Sequence, residues 1–386
     1  MDKLRISYLK YKVLILRFVA RAMLGKANGY APATVIDSIE ASLHNPDLRK
    51  HVLELMAVSE PLIEKYDFPG NYPSGFRRHK AFDKKNLYML TDVCVAPNSG
   101  LTWAENRYFL AESVGSVFRQ IGWGGLQFEL LLKRKRLREK RFMVACPAPS
   151  YFRWLFESLP AVLIALEAKP FARVLLATDS PAYCKDMLKL MFGAQLYRKH
   201  VLEVNGVKRV PYLLTLQHEP DAAFIHPVAI RYLHQLRDKL LDGAAIGSGA
   251  ANIYVSQRKV STKGLVNEKE VEDKLRAIGF IVVHCDDLTI AQQIAIFSQA
   301  TCVIASHCEG LSNLIWARNR VNVLEIFTHN HFNDCFARLS VKLGFNYTYL
   351  VAGKYKQSGS RVKIEVLLDT ARRIKSIEPE QTVCAL

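Results

Sequence analysis

A histidine and a glycine stand in the segment SHCEGLSN, residues 306–313, directly after the apolar run TCVIA. The pattern predicts a helix that begins at Leu311, and a helix N-terminus presents free amide groups and a partial positive charge. Gly310 would let a phosphate approach the backbone closely. The candidates for phosphate binding are therefore His307, Gly310, Leu311, Ser312 and Asn313. For His307, the structural alternative is a turn histidine held by local hydrogen bonds.

Glu325 interrupts the apolar run 321–327 near its carboxyl end. A carboxylate in such a strand is costly unless it is paired or bound to a ligand. The hydroxyl groups of a ribose would suit it, which makes Glu325 a candidate for nucleotide binding. An ion pair with Arg318 or Arg320 is the structural alternative.

A polar and basic loop follows the apolar run NIYV and contains Ser256, Arg258, Lys259 and Lys263. An arginine at the end of a strand could bind a diphosphate through two parallel hydrogen bonds. Ser256, Arg258 and Lys263 are therefore candidate ligand-binding residues, and a solvated loop is the alternative.

Glu157 is the single acidic residue of the stretch SYFRWLFESLP, residues 150–160. Apolar neighbours would raise the pKa of its carboxyl group toward a value that suits a general base. A surface ion pair with Arg153 is the alternative. Trp154 and Phe156 are predicted to lie in the core.

The elements that must position these residues alternate from residue 142 onward. Strand-like runs MVAC, ARVLLA and YLLTL are separated by helical patterns around 152–167, 181–192 and 227–241, as in βα units on a parallel sheet. The region up to about residue 140 is less regular. The small, flexible segment GAAIGSG, 243–249, predicts a domain boundary.

The second half alternates more clearly, with strands predicted at NIYV, FIVV, TCVIA and VNVLEI. Asn267 with Glu270, and Thr289 with Gln292, have the spacing of a helix capping box. The pattern predicts a doubly wound α/β domain. Ligands of such domains bind beyond the carboxyl ends of the strands, where the candidates of this half lie.

The chain has 386 residues, enough for two domains, and a formal net charge of +17. Residues 1–26 and residues 133–141 each carry a net charge of +6. Such segments attract anionic surfaces, whether nucleic acid, acidic lipid or a phosphorylated substrate. Basic and apolar residues alternate in 1–26, but the uninterrupted apolar run is only 13–16, so this segment could lie on a bilayer without crossing it. A helix docked on its own domain is the alternative.

The composition predicts a soluble globular protein, because half of the residues are hydrophobic and 23% are charged. The eight cysteines include no CxxC pair and follow no signal peptide, which favours a reducing cytoplasm. The stretch that contains His329, His331 and Cys335 is typical of an ordinary loop and helix rather than of a zinc site. The pair Asp286 and Asp287 is typical of a helix start. We expect neither a metal nor a cofactor.

Several blocks together resemble glycosyltransferase family 61: YFRWLFESLP at 151–160, IYVSQRK at 253–259, and the stretch from LVNEKEVEDKLRAIGF to VNVLEIF at 265–327. The resemblance extends from about residue 85 to 350. It implies a GT-B arrangement, in which two Rossmann-like domains face a cleft. It also implies inverting transfer from a nucleotide sugar, with the donor site mainly in the C-terminal domain.

Residue by residue, the resemblance places the family's serine-arginine block on Ser256 and Arg258 and its asparagine-glutamate pair on Asn267 and Glu268. Its strand glutamate falls on Glu325 and its histidine-glycine loop on 307–310. That loop usually reads His-Gly-Ala-Gly, whereas Cys308 and Glu309 occupy its middle here.

The family's Asn-Tyr-x-His-Trp block appears here at 150–154, with Arg153 in place of the histidine. Glu157 is therefore expected to act as the general base, with His307 as the next candidate. Tyr151, Arg153 and Trp154 are expected on the acceptor side.

We expect a bacterial, metal-independent, inverting glycosyltransferase that builds a capsule, a lipopolysaccharide or another lipid-linked glycan. Its expected partners are a nucleotide sugar, the acceptor and, through residues 1–26, the anionic inner face of the cell membrane, with no nucleic acid. The expected domains are a basic segment 1–30, an acceptor-side domain 31–242, a nucleotide-sugar-binding domain 250–356, and a C-terminal helix and tail 357–386.

Other functional classes stay open at this point. A polysaccharide pyruvyltransferase also carries a histidine and glycine before a helix in a GT-B-like domain, but gives no reason for the WLFE block. A nucleic-acid-binding protein could use residues 133–141, although few aromatic residues lie among these charges. A non-catalytic membrane scaffold would result if the two departures from the family pattern have abolished activity.

Overall fold

The computed structural model describes residues 34–68, 72–73, 75–105, 107–114, 135–221, 223–242, 251–258, 264–356 and 359–377. The strands, in chain order, are β1 (Thr34–Ile36), β2 (Val52–Ser59), β3 (Leu62–Lys65), β4 (His79–Phe82), β5 (Lys85–Val95), β6 (Thr102–Ala104), β7 (Tyr108–Leu110), β8 (Lys135–Arg136), β9 (Met143–Ala145), β10 (Arg173–Ala177), β11 (Val201–Val204), β12 (Lys208–Leu216), β13 (Ala251–Val255), β14 (Ile281–Val283), β15 (Ala300–Ser306), β16 (Asn322–Phe327), β17 (Asn346–Val351), β18 (Gly353–Tyr355) and β19 (Gly359–Arg361).

The α-helices are α1 (Pro46–Arg49), α2 (Tyr151–Arg153), α3 (Leu159–Ala168), α4 (Ala182–Phe192), α5 (Tyr197–His200), α6 (Pro227–Leu241), α7 (Glu268–Ala277), α8 (Ile290–Ser298), α9 (Cys335–Lys342) and α10 (Ile364–Lys375). A π-helical segment, Trp154–Ser158, joins α2 to α3. The 3-10 helices are Glu40–Ser42, Ala111–Ser113, Cys285–Asp287 and Glu309–Trp316. The predicted α/β class is confirmed.

Unit 1, one of two compact units, contains the described residues of 34–60, 84–180 and 196–221. Its described strands form a ten-stranded sheet with the order β1-β7-β6-β5-β12-β9-β10-β11, in which β2 also pairs with β5, and β8 with β12. β12 runs parallel to β9 but antiparallel to β5. The sheet therefore joins a parallel part to an antiparallel part.

The parallel part follows the prediction, because MVAC, ARVLLA and YLLTL supply β9, β10 and the carboxyl-terminal half of β12. The region before residue 140 was expected to be less regular. It instead forms the antiparallel part of the ten-stranded sheet. Its longest strand, β5, is buried along most of its length and pairs with both β12 and β2. A strand that is covered on both faces lacks the alternating pattern by which strands are recognised in a sequence.

Unit 2 contains the described residues of 61–83, 181–195 and 223–377. Its five-stranded sheet has the order β14-β13-β15-β16-β17, and every pair is parallel. The chain leaves β13 toward β14 on one side and then returns to β15 on the other. The loops after β13 and β15 therefore flank the point where the strand order reverses, which is where doubly wound sheets bind ligands.

The helix starts of unit 2 follow the sequence only in part. The predicted capping box of Thr289 and Gln292 is confirmed at the start of α8. Asn267 does not cap α7 with its side chain; its amide instead pairs with the backbone N–H and carbonyl of Val362. The helix expected from Leu311 begins at Glu309 and is a 3-10 helix.

Strand β17 and the hairpin formed by β3 and β4 also belong to unit 2, and the sequence predicted neither. Each compact unit is built from three stretches of the chain, so the contiguous domain bounds given above stay a prediction.

Several predicted features lie outside the described residues: the basic segment 1–26, the first two residues of the cluster 133–141, the boundary segment 243–249, and both Lys259 and Lys263. Within the described ranges, no helix combines the length and the apolar composition needed to cross a membrane.

Candidate functional site

A histidine that directly follows β15, a glutamate on β16 and a tyrosine on β17 meet near the carboxyl edge of the unit 2 sheet. His307 Nδ1 lies 2.5 Å from Glu325 Oε1, and the Tyr347 hydroxyl donates to Glu325 Oε2 over 2.5 Å. Sheet register explains the meeting, since Glu325 is opposite Ala305 on β15 and Tyr349 on β17. His307 and Tyr347 are each two residues from these partners and therefore lie on the same face of the sheet as Glu325.

Glu325 is fully buried, with 0% of its side chain exposed, so its charge depends on these hydrogen bonds. An ionised carboxylate can only accept a hydrogen bond, so pairing with an ionised Glu325 would require a proton on His307 Nδ1 and would leave Nε2 as the basic nitrogen of the ring. The His307 side chain itself is 18% exposed. A histidine oriented by a carboxylate in this way is suited to taking a proton from a hydroxyl group.

Glu325 pairs with His307 and Tyr347, and not with Arg318 or Arg320 as in the structural alternative. The binding of a ribose by Glu325 stays a prediction. Both of its oxygens already accept hydrogen bonds inside the protein.

The loop after β13 is held by two glutamates of α7. Glu272 is fully buried, and its Oε1 accepts from the Ser256 hydroxyl at 2.7 Å and from Arg258 Nε at 2.9 Å. Burial alone would raise the pKa of Glu272, but these hydrogen bonds from Ser256 and Arg258 hold it below its usual value. Arg258 is thereby fixed at the strand end while 45% of its side chain is exposed.

The second glutamate, Glu268, accepts from the Tyr254 hydroxyl at 2.6 Å and from the backbone N–H of Gln257 at 3.2 Å. Burial raises the pKa of Glu268. Gln257 in turn donates from Nε2 to the backbone carbonyl of His307 at 3.3 Å. The loops after β13 and β15, which carry Arg258 and His307, are therefore tied to each other at the point where the strand order reverses.

Gly310 allows a close approach, but the observed neighbour is a side chain of β13. A Cβ atom at this position would lie 2.8 Å from Cγ1 of Val255 and 3.4 Å from the sulfur atoms of Cys285 and Cys308. The other residues proposed to open a helix at this loop, Leu311, Ser312 and Asn313, are fully buried. Asn313 bonds to Gln293 and Trp316, so its evident contribution is to the packing of the loop.

Glu157 lies on the π-helical segment of unit 1 and pairs with Arg153. Arg153 donates from Nη2 at 2.6 Å and from Nε at 3.0 Å, both to Oε2 of the glutamate. The predicted ion pair is confirmed, although both side chains are mostly buried rather than on the surface. Burial raises the pKa of Glu157, while the charge of Arg153 opposes the rise. Single turns of π-helix inside α-helices are frequent at functional sites.

The acceptor-side candidates are also on this helix. Trp154 and Phe156 belong to the core, as predicted. The Tyr151 ring lies 5.8 Å from the ring of Trp154 and is half-buried.

Three titratable residues near Glu157 were not predicted from the sequence. Lys85, at the start of β5, forms a mostly buried ion pair with Glu219 at 3.4 Å, and burial lowers the pKa of Lys85. His218 follows the carboxyl end of β12; burial and then the charges of Lys85 and Arg153 lower its pKa to about 3. Sequence patterns gave no signal for this cluster, because its members come from three distant stretches of the chain.

The histidines considered for a zinc site have other neighbours. His329 Nδ1 lies 2.8 Å from the Ser360 hydroxyl, and the His331 ring lies 5.2 Å from that of His307. Asp286 and Asp287 lie in a 3-10 helix, consistent with a helix start. The described part of the chain contains no group of three or more acidic, histidine or cysteine side chains that could hold a metal ion.

Residues 151–324 match the family model described as Glycosyltransferase 61. The match begins at Tyr151, includes Glu157, Arg258 and His307, and ends one residue before Glu325. It supports assignment to glycosyltransferase family 61 and hence a glycosyltransferase activity, for which the family implies a nucleotide-sugar donor and a glycan acceptor. No curated protein matches the chain.

The neutral state of His218 predicts a pH-dependent loss of stability. In the unfolded chain this histidine takes up a proton near its ordinary pKa of 6.5, whereas in the folded protein it stays neutral until about pH 3. Its contribution to stability is therefore lost as the pH falls from 6.5 toward 3. We expect His218→Gln to reduce the loss between pH 7.5 and pH 5 by about 1–2 kcal/mol, measured by urea denaturation at both pH values.

The exposed histidine of the same unit, His44, supplies the control, and His44→Gln should keep the pH dependence of the parent. An equal loss of stability between pH 7.5 and pH 5 in the parent and in His218→Gln would show that His218 titrates alike in the folded and unfolded chains.

Proposed function

We propose that this protein transfers a sugar from a nucleotide sugar to a glycan or lipid-linked acceptor, with inversion at the anomeric carbon. The observation that carries the proposal is the carboxyl edge of the unit 2 sheet, where Arg258 and His307 lie on the two loops that flank the reversal of strand order. A cation and a base are the two groups that departure of a diphosphate and activation of a hydroxyl require. The family match over residues 151–324 supports the same activity.

In the proposed reaction, Arg258 stabilises the negative charge that develops on the departing diphosphate. Glu272 orients this arginine through its Nε, so little rearrangement is needed when the donor binds. Because the arginine supplies the positive charge, we propose that transfer does not depend on a divalent metal. Activity that survives chelation with EDTA would support this part of the proposal.

We propose His307 as the general base. Glu325 and Tyr347 orient the ring, and the resulting tautomer makes Nε2 the acceptor of the proton from the acceptor hydroxyl. The oxygen of that hydroxyl then attacks the anomeric carbon, and the bond to the diphosphate breaks. The electron pair of the broken bond remains on the diphosphate oxygen, beside Arg258.

Glu157 is the second candidate for the base, and three observations favour it. Burial raises the pKa of its carboxyl group, and the residue lies on a π-helical turn. Its carboxylate oxygen Oε1 is buried and has no hydrogen-bond partner among the described residues. A deprotonation by Glu157 would have to proceed despite the stabilisation of its charged form by Arg153.

The wider setting of the activity is also part of the proposal. We propose a GT-B arrangement with the donor on unit 2 and the acceptor near Tyr151 and Arg153, while the fully buried Trp154 packs against the Tyr151 ring. We also propose that the protein is a cytoplasmic bacterial enzyme of capsule or lipopolysaccharide synthesis. A pyruvyltransferase is the rival chemistry. Incubation of the purified protein with nucleotide sugars or with phosphoenolpyruvate distinguishes the two, because only one donor would be consumed.

Arg258→Ala tests the donor site. We expect the substitution to weaken binding of the nucleoside diphosphate by about 1–3 kcal/mol, since it removes a charge-assisted hydrogen bond. A thermal-shift screen of nucleotide sugars would first identify the nucleotide, and calorimetry would then compare the variants.

Arg276 offers a matched control, because it also pairs with Glu272, at 3.9 Å. Unlike Arg258, it lies on α7 itself, one turn after Glu272. Arg276→Ala should bind the nucleoside diphosphate as the parent does. If both variants bind like the parent, the proposed diphosphate site is wrong.

Substitution of each candidate base by glutamine distinguishes the two mechanisms. We expect His307→Gln to lower kcat by about 10² to 10⁴, since a general base contributes that much to the rate. Donor affinity should change far less in the same variant. Glu157→Gln should keep kcat within about tenfold of the parent, because in this mechanism its carboxylate takes no proton.

The reverse result, a severe loss of kcat in Glu157→Gln alone, would assign the base to unit 1. Circular dichroism and thermal unfolding of both variants are needed as controls for folding.

We further propose that residues 1–26 bind the protein to anionic membranes, because their net charge of +6 alternates with apolar residues. Removal of this segment should abolish sedimentation with vesicles that contain phosphatidylglycerol while activity on a water-soluble acceptor is retained. Undiminished sedimentation of the truncated protein would instead implicate residues 133–141.

A further inference from the structure

An exposed aromatic ring stands on the loop that follows β16. Phe332 is 45% exposed, and its ring lies 5.3 Å from that of Phe327. Phe327 is fully buried and lies 5.7 Å from the ring of His307. Phe332 therefore packs against the buried ring of Phe327, which also contacts the proposed base, His307. An exposed ring that is held in this way has apolar area available to a ligand at little cost in ordering.

The order of groups along the sheet edge indicates which part of a ligand would reach this ring. Arg258 follows β13, His307 follows β15, and Phe332 lies on the loop after β16, and these three strands are consecutive neighbours in the sheet. This step rests on the proposed function, in which the diphosphate lies at Arg258 and the reacting carbon at His307. A donor in that position extends its nucleoside away from the β16 loop, so sugar rather than nucleobase lies on the Phe332 side. In this arrangement Glu325 orients His307 and does not bind the ribose.

We infer that Phe332 binds the apolar face of a pyranose ring. The C–H groups of one pyranose face form an apolar surface of about the size of a phenyl ring, and their contact with Phe332 removes both from water. The exposed His331 ring, 5.2 Å from that of His307, carries polar nitrogen atoms that suit the hydroxyl groups around such a ring. The sugar is either the one that is transferred or the terminal sugar of the acceptor.

Phe332→Ala and Phe332→Trp test the inference, with Phe171→Ala as the matched control. Phe171 is 80% exposed and belongs to unit 1, so its removal also takes an exposed phenylalanine from the surface. The binding probes are UDP, GDP, UDP-glucose, UDP-N-acetylglucosamine and GDP-mannose, measured by calorimetry, and the kinetic probe is the KM for the acceptor.

We expect Phe332→Ala to bind the free diphosphates within twofold of the parent and to lose about 3- to 10-fold in affinity for a sugar. A loss confined to the nucleotide sugars would assign the ring to the transferred sugar, and a loss confined to the acceptor KM would assign it to the acceptor. Phe332→Trp should restore the affinity, and Phe171→Ala should behave as the parent does.

Unchanged affinity for every sugar, or an equal loss for the free diphosphates, would overturn the inference. A parent that binds no nucleoside diphosphate would overturn the proposed function instead. In that event the added tryptophan of Phe332→Trp still reports on sugars, through its fluorescence during titration with methyl glucoside, methyl galactoside and methyl mannoside. A response to these glycosides would support the inference on its own, and no response would overturn it.

Discussion

The buried carboxylate of Glu325 is the interaction on which the carboxyl edge of the unit 2 sheet depends. An isolated charge in the interior of a parallel sheet would cost several kcal/mol. His307 and Tyr347 compensate for this cost from the strands on either side, so three neighbouring strands are joined through one side chain. A one-residue slip of β15 or β17 would move its partner to the opposite face and leave the charge unpaired. The polar contact therefore favours the observed sheet register while it also orients the histidine.

The second half of the chain could be predicted well because buried parallel strands and amphipathic helices leave distinct patterns. Those patterns placed His307, Arg258 and Glu325 near strand ends, where they are found. They did not provide the partner of Glu325, since Tyr347 lies on a strand that the sequence did not reveal. Side-chain pairing across strands depends on register, and register follows from the packing of the whole sheet.

The first half shows a different limit. For Glu157, the sequence offers a carboxylate with a raised pKa and an ion pair with Arg153 as alternatives, but the structure combines the two. A mostly buried arginine can pair with a carboxylate without fully offsetting the loss of its hydration. The nearby Lys85 and His218 could not be predicted, because only the pairing of β5 with β12 brings their segments together.

The β3–β4 hairpin has a consequence for how the chain matures. Its strands are synthesised before most of unit 1, yet they pack in a unit whose sheet begins at residue 251. While most of unit 1 is synthesised, the hairpin therefore lacks the unit 2 sheet against which it packs in the finished protein. Its aromatic residues include Phe76, whose ring is 6.2 Å from that of Phe327 in the finished protein. Exposed apolar surface of this kind is prone to aggregation and is what holdase chaperones bind, so this order of segments favours assistance by chaperones during synthesis.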